Sequence, residues 1–225
     1  MDEWLSGLVA PAKTIRESGR WKALNARVEA VCANPGKDNA WWIHVIASIA
    51  AQNFSEFCSI ERAYDNGQDA ALLAWRARNL LEISVWAIYA TRTRNNARRL
   101  YEDAGRDIRG IYDAFSKWGD RTHQGDVYRA AKVELATNAK LLGGIDSIEG
   151  KYKPVAEAAD ELGLGEYYSV IYKLLSKFAH PTAMLMLGNI DAEKRRLQRG
   201  FFYGQGCLQF TTAFSELERT LALAS

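Results

Sequence analysis

Little in this chain would hold it together covalently. Its three cysteines (Cys32, Cys58, Cys207) are odd in number, widely spaced and free of any CxxC pair; this excludes a disulfide framework and reads as reduced thiols. The three histidines, His44, His123 and His180, lie far apart with no HxxxH or HExxH spacing, so no metal site is expected. No cofactor is implied either. Neither GxGxxG nor GxxxxGK[ST] occurs, and Gly163, Gly165 and the Gly200–Gly206 group lack the strand context that phosphate loops need. The net charge of +2 is too near neutral to demand nucleic acid or a membrane surface. The longest apolar run, Trp41 to Ala51, is interrupted by His44 and falls well short of the ~20 residues a bilayer span needs. Acids stand near the N-terminus where a signal peptide would carry basic residues. A soluble, cytoplasmic protein with no membrane partner is the expectation.

Prolines number only four and alternating β-branched runs are absent, while Ala, Leu, Arg, Glu and Lys dominate. The period throughout is helical. With 225 residues the chain can bury roughly 70% of its unfolded surface, so it needs no covalent staple. The pattern predicts a single all-α domain over residues 1–225, a multi-helix bundle or array of about seven to nine helices. A first helix is expected from Glu3 to Cys32, with a break near Pro11, ending at Asn34-Pro35-Gly36. Asp38 or Asn39 caps a second helix through Tyr64, closed by Asn66-Gly67. Further helices are read from Asp69 to Thr91, from Thr93 to Trp118 and, after a Gly119–Gly125 loop, to Leu142. Then come Val155 to Leu162, and Gly165 to about Gly188 with a bend at His180-Pro181. A last helix, capped by Asp191 and loosened by Gly200, Gly204 and Gly206, runs toward Leu223.

Two ladders stand out. Tyr168, Tyr172, Ser176 and His180 recur at a step of four, which places them along one stripe of a helix face. Ala74, Arg78, Glu82 and Trp86 repeat the step on an earlier helix that is otherwise almost wholly apolar. Buried charges need partners, so the two ladders are expected to meet. The plainer account of Arg78 and Glu82 is a structural ion pair tying two helices. For Ser176 and His180 it is satisfaction of backbone groups freed by the proline kink. The charge state of His180 stays open. A helix C-terminus there favours the cation, whereas a new helix opened by Pro181 favours the neutral ring. A serine-hydrolase arrangement is weak, because Ser176 lies on an ordinary helical run without a glycine elbow.

The arginines of the fourth helix, Arg92 to Arg109, read as a self-paired solvated face, with Arg98–Glu102, Arg99–Asp103 and Glu102–Arg106 at the salt-bridging step. Lys194, Arg195, Arg196 and Arg199 form a second basic run. Most of the seven tryptophans are read as core anchors, with Trp4 or Trp21 marking a homodimer surface.

Arg78, Asn79, Leu80, Leu81, Glu82 followed by Tyr172, Lys173, Leu174, Leu175, Ser176, Lys177, Phe178, Ala179, His180, Pro181 resembles a group of uncharacterised bacterial all-helical proteins. These carry Arg-x3-Glu on one helix and Tyr-x3-Ser-x3-His on a later one. More distantly the layout is similar to HEPN domains, helical modules of toxin–antitoxin and phage-defence systems, many of which cleave RNA. Their histidine follows the arginine on the same helix; here only His180, brought across from another helix, could take that place. The resemblance implies a HEPN-like fold and a site of His180, Arg78 and Glu82, with Tyr172, Ser176 and Tyr168 as ligand-binding groups. Three functions follow. The first is a stress- or defence-linked module, a homodimer, holding a small anionic or nucleotide ligand through Arg78, with Tyr172 stacking or hydrogen-bonding. The second is a metal-independent RNase in which His180 moves the proton and Arg78 steadies the phosphorane charge. The third is an interaction protein whose cluster is only an ion network, in which case losing Arg78 or Glu82 costs several kcal/mol.

Overall fold

The computed structural model describes residues 3–33, 40–122, 153–180 and 191–223, and these contain eight helices and no strand. They are α1 (Glu3–Glu17), α2 (Arg20–Ala33), α3 (Ala40–Asp65), α4 (Ala70–Arg92), α5 (Arg94–Thr122), α6 (Val155–Glu161), α7 (Gly165–Ala179) and α8 (Ala192–Leu223). The expected all-α array is what the chain forms. The Asn34–Gly36 turn, the Asp38/Asn39 cap, the helix to Leu142 and everything from Pro181 to Ile190 lie outside the described residues.

α4 is the centre. Leu73, Ala74, Ala77, Leu80, Leu81, Val85, Ala87, Tyr89 and Ala90 are all buried, and they lie on every side of the helix rather than on one stripe. An apolar surface wider than one stripe needs cover from several helices, and Trp75 is left 42% exposed. α3, α5, α6, α7 and α8 all pack on it. Asp69 starts it, its Oδ1 accepting from the Leu72 N–H at 2.8 Å.

Two expectations need correction. The break in the first helix falls not at Pro11, which lies inside α1, but at Ser18-Gly19. Gly19 has φ +76°, a left-handed conformation that glycine adopts without strain. Leu5, Val9, Ala12 and Ile15 are the buried stripe of α1, and Pro11 sits on the exposed side. There the Gly7 carbonyl that it leaves unbonded is open to water.

Nor is α8 loosened by its glycines; it runs unbroken for 32 residues. A Cβ at Gly204 would stand 3.0 Å from Leu5 Cδ1, and one at Gly206 2.5 Å from Ile60 Cδ1. The glycines bring the α8 backbone against α1 and α3. Asp191 caps α8 as expected, its Oδ1 accepting from the Lys194 N–H at 2.8 Å. Phe210 stacks on Phe57 at 3.9 Å between ring centroids, and Phe54, Phe214 and Trp21 complete the aromatic core. Trp21 is partly buried and packs on that core, and Trp4 is 45% exposed.

Two stability outcomes follow from this packing. Gly7→Ala meets nothing within 4 Å on an exposed helical face and should stabilise by up to about 1 kcal/mol, whereas Gly206→Ala should destabilise by about 1–3 kcal/mol through overpacking; urea midpoints measure both. Burial pushes the Cys207 thiol up to about 12 and raises the Tyr203 hydroxyl as well. The unfolded thiol gives up its proton near 8.5 while the folded one keeps it, so stability should fall as pH rises from about 8.5 toward 12. At neutral pH, iodoacetamide should label the half-buried Cys58 well before Cys207. Equal labelling rates in the folded protein contradict this.

Candidate functional site

α6 ends in a Schellman turn. Gly163 (φ +74°) donates to the Asp160 carbonyl at 2.9 Å and Leu164 to the Ala159 carbonyl at 2.8 Å. That turn sets α7 beside α6 and directs the Tyr168 stripe at α4. Tyr168 is buried and its ring stacks on Tyr172 at 5.2 Å.

The ladders meet at Arg78. Its Nε donates to Glu82 Oε1 at 3.2 Å, its Nη2 to the Tyr172 hydroxyl at 2.8 Å, and its Nη1 lies 3.0 Å from His180 Nε2. The guanidinium also lies over the Tyr172 ring at 4.7 Å. Arginine has no acceptor, so in this contact His180 Nε2 is the accepting atom. His180 ends α7 in an extended conformation.

Ser176 Oγ is buried and has no hydrogen-bond partner. The residue lines a cavity of about 750 Å³ beside the cluster. α4 contributes Arg78 and Glu82; the start of α6 contributes Pro154, Val155 and Ala156, and its end Asp160. α7 contributes Tyr168, Tyr172 and Ser176 together with Gly165, Ser169, Lys173 and Lys177. At 1.5 Å per residue the α7 wall from Gly165 to Lys177 is about 18 Å long. His180 reaches the cavity only through Arg78.

The α6 wall is pinned from behind by Lys153. Its side chain is 2% exposed, pairs with Glu161 and lies 5.5 Å from the Tyr89 ring centroid. Its backbone N–H donates to Asp103 Oδ2 at 3.1 Å. The Lys153 ammonium holds the Glu161 carboxyl below its usual range, whereas burial raises that of Asp103 despite Arg106 beside it. Asp103 is thus committed to Arg106 and the Lys153 backbone rather than to Arg99. The other expected pairs of α5 are present, Arg98–Glu102 at 2.9 Å and Arg106–Glu102 at 3.8 Å. In the second basic run, Lys194 pairs with Asp191 at 3.3 Å and Arg199 donates to the Tyr64 carbonyl at 2.7 Å.

Reading the ladders alone misses half of the cavity wall. Gly165, Ser169, Lys173 and Lys177 form a third series, all at the step of four used by the Tyr168 stripe and beside it on α7. Its cations are the signal that could have marked it. Lys153 and Asp160, on short loops and helix ends, carry no periodic signal.

An all-helical protein with a cation-rich groove between three helices is the class these observations define. The model of a family of unknown function, DUF5677, matches residues 44–196, and the chain belongs to that family. No curated protein and no solved structure matches it. Among the described residues, no helix is long and apolar enough to cross a membrane, and no group of His, Cys, Asp and Glu is placed to hold a metal ion.

The side chains of Arg78 and Glu82 are 21% and 30% exposed, so water screens the pair and a loss of several kcal/mol is too large. Glu82→Gln should cost under about 1 kcal/mol. Arg78→Met removes the partner of three groups and should cost about 1–2 kcal/mol. Arg78→Lys should recover little of it, since a lysine cannot hold three divergent acceptors in one plane. Urea unfolding of the three variants checks this ordering.

Proposed function

We propose that the protein is a binding module whose groove holds a small anionic or nucleotide ligand. The observation that carries this is the convergence of Arg78, Lys173 and Lys177 on one groove, lined also by Ser176, whose buried Oγ has no hydrogen-bond partner among the described residues. A buried hydroxyl without a partner is costly, and a ligand oxygen can supply what it lacks. Arg78 spends three of its five N–H donors on Glu82, Tyr172 and His180. One N–H on each terminal nitrogen is left for an anion. Glu82 orients the guanidinium; Tyr172, engaged by both Arg78 and Tyr168, acts by hydrogen-bonding the arginine more than by stacking on a ligand. The HEPN resemblance supports a bacterial, cytoplasmic setting in stress or defence, and the exposed Trp4 supports a homodimer.

A second reading rests on one distance, the 3.0 Å between Arg78 Nη1 and His180 Nε2. It supports a metal-independent RNase in which the two groups, joined across helices, act on a phosphodiester. One set of measurements separates these readings. ATP, GTP and pyrophosphate at about a hundred times Kd should raise Tm of the wild type by several degrees, and of Arg78→Ala by little. Cleavage of tRNA in EDTA, lost in folded His180→Ala, would favour the RNase instead. Neither effect leaves the cluster a structural ion network.

A further inference from the structure

The charges along the groove are sorted by sign. Glu82 pairs with Arg78; along the rest of the lining Asp160 stands at one end and Lys173 and Lys177 at the other. Asp160 is placed beside Gly165, the first residue of α7, where any Cβ would collide with its Oδ1. The carboxylate occupies space that only a glycine leaves. Among the described residues neither Asp160 nor Lys173 has an ion-pair partner. Lys173 stands eight residues beyond Gly165 on the same helix and Lys177 twelve, so about 12 and 18 Å separate the acid from the two cations.

From this we infer that the groove takes an elongated zwitterion, its protonated amine on Asp160 and its carboxylate or phosphate on Lys173, Lys177 and the free N–H groups of Arg78. A purely anionic molecule lying along the groove would meet Asp160 as a like charge; one with an amine at that end meets a partner. Between the ends stand the small apolar side chains of Pro154, Val155 and Ala156, with Ser176 Oγ to accept or donate one hydrogen bond. An extended chain advances about 3.3–3.6 Å per residue, so a tetrapeptide with both ends free has the required span. This assignment rests on the reading of the groove as an anion site and adds the second, cationic end.

Tetra-alanine, its N-acetyl form and its C-terminal amide, titrated calorimetrically into the full-length protein, test it. Because both charged ends of the groove are partly exposed, each end should contribute about three- to fivefold in affinity. The free peptide should therefore bind tighter than either blocked form, and the advantage should shrink as salt is raised. Asp160→Asn should make the free and acetylated peptides equal. Gly165→Ala should do the same with its helical circular dichroism unchanged, because the short Asp160 side chain can swing aside. Lys173→Gln with Lys177→Gln should shrink the advantage of the free over the amidated peptide, leaving only what Arg78 supplies. If the acetylated peptide binds wild type as well as the free one, or if no form binds, the zwitterion assignment is wrong. Continued stabilisation by ATP or pyrophosphate in that case leaves the anion site standing; loss of both sinks the two together.

Discussion

A guanidinium in the middle of the most enclosed helix of the molecule is the constraint around which the rest is arranged. α4 buries apolar side chains on every side and is covered by five other helices. Its one charged pair, Arg78 and Glu82, interrupts that surface, and a charge there must be met by polar groups. α7 supplies them, with Tyr172 and His180 completing three of the arginine's hydrogen-bonding directions. The same stripe that satisfies the arginine keeps α7 and α4 from closing into a dry interface. A cavity remains where polar side chains replace apolar ones.

The third wall shows how a short element becomes fixed. α6 has seven residues, too few to be stable by itself. It is held at its start by a buried lysine between Glu161, Tyr89 and the Asp103 carboxylate, and at its end by the turn through Gly163. Asp103 is raised by burial and Glu161 lowered by the lysine, opposite shifts within one cluster. The wall that carries Asp160 is therefore set by electrostatics behind it and by backbone geometry in front of it.

Where expectation and structure part, the reason is the same each time. Pro11 was read as a breaker, yet on an exposed face beside Gly7 its missing hydrogen bond is cheap, and the chain turns at Gly19 instead. Gly204 and Gly206 were read as weak points in α8, but against Leu5 and Ile60 they are the condition for contact. Arg99 has a suitable acid four residues on, but that acid, Asp103, is drawn to a backbone N–H fifty positions away in sequence. Trp21, partly buried, packs on Phe54 and Phe210, which come from helices remote in sequence. Local rules assign a residue its preferences; the neighbour that satisfies them comes from elsewhere in the chain.

The all-helical class, most helix boundaries within a residue or two, and the meeting of the Arg78 and Tyr172–His180 ladders are legible along the chain. Each is a matter of periodicity, or of a charge that cannot be left alone. The groove beside the pair, its sharing by Lys173, Lys177 and Asp160, and the approach of His180 Nε2 to Arg78 arise from the packing of the helices. Cavities, charge separations and contacts across helices depend on distances between elements remote in sequence, and no pattern within one helix encodes them.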